Sequence, residues 1–289
     1  MKSPIIVEAP AKVNFFLNVT GKRPDGYHEL QTVMHQVELK DLITLEVLPS
    51  GIEIESDSRE IPLNETNLAY KAAKAFFGLC NLSCGVRITI EKNIPVGAGL
   101  AGGSTDAAAV LKGLSRLFPT AVRDMALPSI AASIGSDVPF CLLGGSALAK
   151  GRGEILFTLK HIIFSHILLV KPPFAVSTAE TYQRLDNQNI TGKPDLYGFL
   201  EAWNECDIIS LAGKMANVLE AANRDRFPVI EEIKEKMKRW GAINALMSGS
   251  GPTVLGVFND PGLAADAKEK FENQYQEVFL ISSYKNRGE

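Results

Sequence analysis

The feature that most constrains this chain is a glycine-rich run, Pro95-Val-Gly-Ala-Gly-Leu-Ala-Gly-Gly-Ser-Thr-Asp106, which leads into an alanine-rich segment. Glycine lets the backbone approach a ligand closely because it has no Cβ. The segment that follows has the apolar spacing of a helix, with Ser104 or Thr105 predicted as its N-cap and Asp106 in its first turn. Because the N-terminus of a helix attracts anions, the run predicts a phosphate-binding loop.

Other interpretations of the run are less compatible with its surroundings. Gly97, Gly99 and Gly102 spell the G-x-G-x-x-G of dinucleotide-binding folds, which also require a second strand ending in an acidic residue. Residues 118–128 have turn and helix character instead, and Pro95 interrupts the entry from the preceding strand. A P-loop would need Gly-Lys-Ser/Thr after the glycines, and the chain has none there. A glycine turn that serves only packing remains the third alternative.

Composition excludes several classes of function. The chain has 289 residues, of which 46% are hydrophobic and 22% charged, with a net charge of −3. We therefore expect neither nucleic-acid nor membrane partners, since these usually require a strongly basic surface. The four cysteines have no C-x-x-C spacing and predict buried free thiols in a reducing cytosol: Cys80, Cys84, Cys141 and Cys206. With no signal peptide or long apolar stretch, we expect a cytoplasmic protein.

The order of predicted elements favours an α+β fold. Strands are expected at Ile5–Ala9, Val13–Val19, Val33–Leu39, Ile43–Val47, Ile52–Glu55, Val86–Ile90 and Leu168–Lys171, and hairpins at 147–150 with 155–159 and at 243–247 with 254–258. Helices are expected from Asn67 to Leu79, after the glycine run, around Ser129–Ile134 and at Val229–Trp240. Strands and helices do not alternate regularly, which argues against a doubly wound sheet. A second glycine turn, Ser248–Pro252, lies in the other half of the chain and suggests a ligand held between two domains.

Three further segments carry residues that could do chemistry. Lys12 and Asn14 occupy alternate positions of an apolar strand and so face the same way, where Lys12 needs a partner or a wet cavity. Tyr27 and His28 follow a Pro-Asp-Gly turn and could stack on a flat ring and bond its edge, although a surface-packed pair is an equal alternative. Asp137 could deprotonate an alcohol, or it could merely form an Asx turn.

Six blocks of the sequence, taken together, resemble the GHMP kinase superfamily, whose members phosphorylate small molecules. The blocks, beside the glycine run, are Ala9–Asn14, Arg23–Glu29, Gly135–Phe140, Gly151–Glu154, Val176–Tyr182 and Met247–Thr253. Within that superfamily they are similar to the kinases of the non-mevalonate isoprenoid pathway, which act on a cytidyl diphosphate ester of a methylated tetritol. The resemblance runs from about residue 8 to the last strand.

The resemblance implies a fold and a site. The fold would be an N-terminal domain like ribosomal protein S5, residues 1–160, joined to a ferredoxin-like C-terminal domain, residues 161–289. Lys12 and Asp137 would be catalytic, the aspartate as base. The ATP phosphates would bind to Pro95, Val96, Gly97, Ala98, Gly99, Leu100, Ala101, Gly102, Gly103, Ser104 and Thr105, with Asn67 and Lys92 near the adenosine. The substrate would contact Asn14, Tyr27, His28 and Tyr182, with the two tyrosines around cytosine and the histidine at its edge.

The resemblance also implies ATP and Mg²⁺ as cofactors, and Ser104 or Thr105 could contact the metal, whose protein ligands are otherwise unknown. The only partner expected is the small-molecule substrate, and the chain is expected to be a monomer or a weak homodimer. Two positions depart from the family pattern: Ala101 replaces a glycine, and Thr105 replaces a serine. Because alanine favours negative φ, we expect helical or extended backbone at Ala101.

Two alternatives stay open. A sister kinase acting on homoserine, mevalonate or a sugar alcohol would not need aromatic residues around a cytosine. A non-catalytic sensor that retained the fold would not need both Lys12 and Asp137.

Overall fold

The computed structural model describes residues 3–119, 126–187 and 193–285. The chain forms two compact units. The first comprises Met1–Ala11, Leu39–Val96 and Ala101–Gly144; the second comprises Lys12–Glu38, Gly97–Leu100 and Gly145–Glu289. Each unit therefore collects segments that are distant in sequence. The domain boundary expected at residue 160 stays a prediction.

The first unit packs helices on a small sheet. The sheet contains residues 42–48 of β2 (His28–Leu48), β4 (Gly85–Glu91) and β3 (Ile52–Ser56), with β4 antiparallel to β2 and parallel to β3. The helices are α1 (Leu68–Cys80), α2 (Gly102–Leu117), α3 (Ala126–Ile134) and α4 (Val138–Leu143). A Cβ at Gly113 of α2 would lie 2.4 Å from Leu45 Cδ1. Glycine at this position therefore lets α2 approach the sheet closely.

The second unit contains a four-stranded antiparallel sheet in the order β11 (Glu277–Ile281), β7 (His166–Lys171), β10 (Val254–Phe258) and β9 (Asn244–Met247). Its core combines side chains of this sheet with those of α9 (Pro228–Arg239) and α10 (Pro261–Glu272), among them Val254, Ile233 and Phe271. Burial of apolar area of this kind is the main stabilising contribution to a fold.

The remaining elements of the second unit surround the N-terminal strands. Residues 30–35 of β2 pair antiparallel with β5 (Ser146–Gly151), β5 pairs with β6 (Ile155–Thr158), and β1 (Ile5–Lys22) pairs in parallel with the short β8 (Ala216–Asn217). The helices are α5 (Thr178–Asp186), α6 (Leu196–Glu205), α7 (Ile208–Gly213) and α8 (Leu219–Asn223).

Most predicted elements are confirmed, and the mixed α+β class is confirmed with them. The prediction that residues 5–19 and 33–47 each contain two separate strands is wrong, because β1 and β2 are continuous over 18 and 21 residues. Lys40 and Asp41, which lie between the two strands predicted in 33–47, have partners within the first unit: Lys40 forms an ion pair with Glu8, and Asp41 accepts backbone N–H bonds from Asn93 and Ile94. A strand tolerates buried polar side chains when they are hydrogen-bonded.

Two other expectations need correction. Helix α2 begins at Gly102 rather than after Ser104 or Thr105, and the described part of α2 has no acidic residue in its first turn. The four cysteines are free thiols, but only Cys141 is buried. Among the described residues, no helix has both the length and the apolar character needed to span a membrane.

Candidate active site

The first half of the glycine run, Gly97–Leu100, lies in the second unit against the other glycine turn. The Gly99 carbonyl accepts a hydrogen bond from Ser248 Oγ at 3.2 Å, and the Ala98 carbonyl accepts one from the Thr253 backbone N–H at 3.3 Å. A Cβ at Gly99 would lie 2.4 Å from the Ser248 carbonyl oxygen. Only glycine fits this close approach, so the two glycine turns form one packed substructure.

Lys12 is buried beside this substructure. Its Nζ donates to Asn14 Oδ1 at 2.8 Å and to the Gly99 carbonyl at 3.2 Å, and its backbone N–H donates to the Leu100 carbonyl at 3.1 Å. The Asn14 amide in turn donates to Thr32 Oγ1 at 2.8 Å. The prediction that Lys12 and Asn14 share one side of β1 is confirmed. An ammonium with only 4% exposure needs such partners, and here they attach it to the glycine loop.

Two buried asparagines fix the second glycine turn. Asn217 Nδ2 donates to the carbonyls of Met247 and Gly249, both at 2.7 Å, and Asn223 Nδ2 donates to the Ser250 carbonyl at 3.1 Å. Buried backbone carbonyls need hydrogen-bond donors, and here the two asparagine side chains supply them. The turn that contacts Gly99 is therefore held in place by side-chain hydrogen bonds from two asparagines.

The second half of the glycine run, Ala101–Thr105, lies in the first unit. Ala101 has φ 59° and ψ 31°, so the expectation of helical or extended backbone there is wrong. The Ala101 carbonyl accepts the N–H of Thr105 at 2.9 Å as the first turn of α2 begins, which holds this unfavourable conformation in place. Thr105 is buried and its hydroxyl donates to the Pro10 carbonyl at 2.7 Å, whereas Ser104 is only half-buried. Ser104 is thus the better placed of the two hydroxyls for a ligand.

Positive φ alternates along the run, at Gly97 (65°), Gly99 (77°) and Ala101 (59°), while Ala98 and Leu100 are not in the left-handed region. Left-handed backbone at every second residue of a turn favours N–H groups that point to one side, as in concave anion-binding sites. The start of α2, a helix of 16 residues in the first unit, is by itself also favourable for an anion.

Lys92 belongs to a buried cluster of three ionisable side chains in the first unit. Its Nζ contacts Asp41 Oδ2 and lies 3.4 Å from Asp106 Oδ2. Burial raises the pKa of Asp106 well above its usual range, against the attraction of Lys92 and with the help of the Asp41 carboxylate. A Cβ at Gly102 would lie 2.8 Å from Lys92 Nζ. The cluster therefore lies next to the start of α2. A role of Lys92 near adenosine stays a prediction.

Two other predicted residues lie at helix starts in the first unit. Asn67 caps α1: its Oδ1 accepts from the Ala69 N–H at 2.9 Å and its Nδ2 donates to the Pro62 carbonyl at 2.7 Å. Asp137 occupies the N-cap position of α4, but its side chain makes no capping hydrogen bond. The half-buried carboxylate of Asp137 therefore does not serve as a helix cap.

The aromatic residues predicted to surround a cytosine lie in the second unit. His28 and Tyr182 stack on each other, with ring centroids 4.7 Å apart and an interplanar angle of 26°. Tyr27 is 52% exposed, and the guanidinium of Arg152 lies 4.9 Å from its ring centroid. The structure thus brings His28 and Tyr182 together, and leaves the Tyr27 ring accessible.

Sequence reasoning missed several residues that hold this site. Asp186 bonds to His28, Arg152 lies next to the Tyr27 ring, and Asp41 pairs with Lys92. For Asp186 a signal existed, since it follows Tyr182 by four residues, a spacing that places two side chains on the same face of a helix. Nothing in the local sequence indicated the partner of Lys92, because Asp41 lies on β2, 51 residues earlier.

Comparisons with known proteins agree with this geometry. A family model described as the GHMP kinases N terminal domain matches residues 67–145, and one described as GHMP kinases C terminal matches residues 205–277. A 4-diphosphocytidyl-2-C-methyl-D-erythritol kinase of Syntrophomonas wolfei is 55% identical over 98% of this chain and 100% of its own length. The protein of the same name from Alkaliphilus metalliredigens is 43% identical over 97% of each chain.

Solved structures are similar over the same length. A crystal structure of 4-(cytidine 5'-diphospho)-2C-methyl-D-erythritol kinase has a TM-score of 0.83 and 34% identity, covering 98% of this chain and 100% of that chain. Homoserine kinase from Cytophaga hutchinsonii has a TM-score of 0.76 at 18% identity, covering 99% of this chain and 96% of that one, which shows the shared fold alone.

A nest of backbone N–H groups, a buried lysine attached to it and an α+β fold with both family domains define a phosphotransferase of the GHMP kinase class. Within that class, the chain belongs to the 4-diphosphocytidyl-2-C-methyl-D-erythritol kinase family.

Proposed function

We propose that the protein transfers the terminal phosphoryl group of ATP to the 2-hydroxyl of 4-diphosphocytidyl-2-C-methyl-D-erythritol, giving the 2-phosphate and ADP. Its curated relatives carry the name of this kinase over nearly the whole chain. The observation that carries the proposal is the attachment of buried Lys12 to the Gly99 carbonyl of the alternating glycine loop. A cation fixed beside an anion nest is the arrangement that phosphoryl transfer requires.

The residues have separate roles in this proposal. Backbone N–H groups of the glycine loop and of the start of α2 hold the phosphates. Lys12, kept in place by Asn14, offsets the negative charge that develops as the phosphoryl group moves. Asp137, whose carboxylate is not used as a helix cap, accepts the proton of the substrate hydroxyl. These roles need positioning and charge rather than a covalent intermediate.

A magnesium ion is part of the proposal. When bound with ATP, Mg²⁺ neutralises phosphate charge and orients the transferred group. Within the described residues no three His, Cys, Asp or Glu side chains are grouped to hold a metal by themselves, so we propose that the nucleotide supplies most of its ligands. The half-buried Ser104 hydroxyl is the protein group we assign to it, because the Thr105 hydroxyl is bonded to Pro10.

The cytidyl part of the substrate is proposed to bind at the aromatic residues of the second unit. Tyr27 and Tyr182 provide ring faces for the cytosine, and His28 contacts the edge of the base. We further propose that the enzyme works in the cytoplasm as a monomer or weak homodimer, without nucleic-acid or membrane partners.

A direct assay tests the reaction. The purified chain is incubated with MgATP and, separately, with the cytidyl substrate, mevalonate and homoserine, while ADP release and the new phosphomonoester signal in ³¹P NMR are recorded. We expect turnover only with the cytidyl substrate. ADP formed only with mevalonate or homoserine would assign a sister kinase, and no ADP with any of them would favour a sensor.

A pair of lysine variants tests the site itself. Lys12→Met removes the charge beside Gly99 and is expected to lower kcat by about 100-fold or more. Lys71→Met, at an exposed position of α1, removes one charge elsewhere and is the matched control. Equal activity of the two variants would remove Lys12 from the catalytic machinery.

A further inference from the structure

The imidazole of His28 has a hydrogen-bond partner at its edge and a stacking partner on its face. Its Nε2 lies 2.7 Å from Asp186 Oδ1, and its side chain is only 10% exposed. Its ring stacks on Tyr182, four residues before Asp186 on α5. Because residues four apart lie on the same face of a helix, α5 fixes the position and the rotation of the imidazole together.

The second oxygen of Asp186 is also occupied. Lys22 Nζ lies 2.5 Å from Asp186 Oδ2, so the carboxylate bridges a lysine and a histidine. Hydrogen bonds from His28 and Lys22 lower the pKa of Asp186, which keeps the carboxylate ionised. An ionised carboxylate only accepts hydrogen bonds. The hydrogen in the contact between Asp186 and His28 must therefore be on Nε2.

This contact determines what the other ring nitrogen can do. A neutral imidazole carries one hydrogen, so a hydrogen on Nε2 leaves Nδ1 as an acceptor. Among the residues that the structure describes, Nδ1 has no hydrogen-bond partner. Cytosine presents an amino donor at its 4-position, whereas a uracil-type base presents a carbonyl acceptor there. An Nδ1 acceptor matches the first base and repels the second.

We propose that Asp186 determines the preference for cytosine over uracil by holding His28 in the tautomer with hydrogen on Nε2. The proposal rests on the proposed function, in which His28 contacts the edge of the cytosine. Asp186 acts through His28 and is a positioning residue, while Lys22 keeps the carboxylate aligned.

Asp186→Asn is expected to reverse which ring nitrogen of His28 carries the hydrogen, with little change in the shape of the side chain at position 186. An amide has one acceptor and one donor end, and Lys22 requires the acceptor. The amide nitrogen then faces His28 Nε2, which becomes the acceptor, and the hydrogen moves to Nδ1. The variant is expected to present a donor to the base and to lose its preference for an amino group. Glu180→Gln removes one charge from the same helix, on a side chain paired with Arg184, and is the matched control.

The first measurement is independent of catalysis. Long-range ¹H–¹⁵N NMR of the ¹⁵N-histidine-labelled full chain reports the tautomer of each of its 4 histidines. His28→Gln assigns the His28 signal. At pH 8.5, well above the ordinary pKa of an imidazole, we expect hydrogen on Nε2 in the wild type and in Glu180→Gln, and on Nδ1 in Asp186→Asn. Hydrogen on Nδ1 in the wild type would overturn the proposal.

The second measurement compares kcat/KM for the cytidyl substrate and its uridyl analogue. In Asp186→Asn the ratio is expected to fall about 10-fold or more, mainly through KM, and to stay unchanged in Glu180→Gln. An unchanged ratio in Asp186→Asn, or an equal fall in the control, would overturn the role of Asp186 while leaving the proposed reaction intact. A wild type that phosphorylates neither compound would instead overturn the proposed function, and the specificity proposal with it.

Discussion

At the scale of single residues, the glycine loop depends on backbone conformation rather than on side chains. Left-handed backbone recurs at Gly97, Gly99 and Ala101, and the alternation makes the anion nest. Alanine reaches this conformation at a cost of about 1–2 kcal/mol. At Ala101 the loop therefore keeps a left-handed backbone that alanine by itself disfavours.

Replacing Ala101 by glycine should relieve this cost. Ala101→Gly is expected to raise the free energy of unfolding by about 0.5–1 kcal/mol, because the relief of strain exceeds the added entropy of the unfolded chain. Urea denaturation measures the change. Ala98→Gly, at a loop position without positive φ, is the matched control and should destabilise the protein. A loss of stability in Ala101→Gly would contradict the strain described here.

The proposed role of Asp137 as the general base can be tested without disturbing the fold. Asp137→Asn keeps the shape of the side chain and removes no helix cap, so the variant is expected to stay folded. The amide cannot take a proton, and kcat should fall by about 100-fold or more. Steady-state ADP release and urea denaturation check the two parts. Near-normal turnover would exclude Asp137 as the base.

At the scale of elements, the site depends on how helices begin. α1 starts with a side-chain cap from Asn67, whereas α2 starts at left-handed Ala101 with no side-chain cap. The uncapped N–H groups at the start of α2 remain available to an anion. The helix proposed to bind the phosphates is therefore the one without a side-chain cap, whereas Asn67 caps α1.

The cap of α1 provides a test that separates stability from nucleotide binding. Asn67→Ala should cost about 1 kcal/mol of stability through loss of the cap. Asp260→Ala removes the equivalent cap of α10 and should cost a similar amount. If Asn67 lies near the adenosine, only Asn67→Ala should raise the KM for ATP. The same KM in both variants would restrict Asn67 to a structural role.

At the scale of the whole molecule, a buried histidine joins segments that are far apart in sequence. His35 contacts Ser146 Oγ through Nδ1 and Ser283 Oγ through Nε2, both at 2.7 Å. Ser283 Oγ also accepts the N–H of Phe164 at 2.8 Å. Burial, helped by the neighbouring His161, lowers the pKa of His35 to about 3. The neutral imidazole is thus part of the native core of the second unit.

This histidine makes stability depend on pH in a defined direction. Its pKa is lower in the folded chain than in the unfolded chain, so its contribution is complete above about pH 6.5 and is lost as the pH falls toward about 3. We expect a loss of about 1.4 kcal/mol per pH unit inside this window. Urea denaturation of wild type and His35→Gln from pH 7.5 to 4.5 should show a difference that shrinks on acidification. His166→Gln is the control, and a difference independent of pH would contradict the prediction.

The sequence by itself determined the features that depend on residues close together in the chain, namely turns, helix caps and the faces of strands. Glycine spacing predicted the phosphate loop, alternation predicted the hairpins, and Asn67 predicted the start of α1, because turns, caps and strand faces are set within a few residues. The order of the six blocks indicated the family, which the relatives confirm over nearly the whole chain. Lys12 and Asn14 were placed together correctly for the same local reason.

Only the tertiary structure decided the features whose partners come from distant segments. β1 and β2 are continuous because their polar residues find partners on other elements, as Asp41 does at Asn93 and Ile94. Ala101 adopts left-handed backbone because the surrounding packing outweighs its local preference. Asp186 reaches His28 across 158 residues, and no local pattern specifies such a contact. These contacts determine which atoms the glycine loop and the aromatic residues present to their ligands.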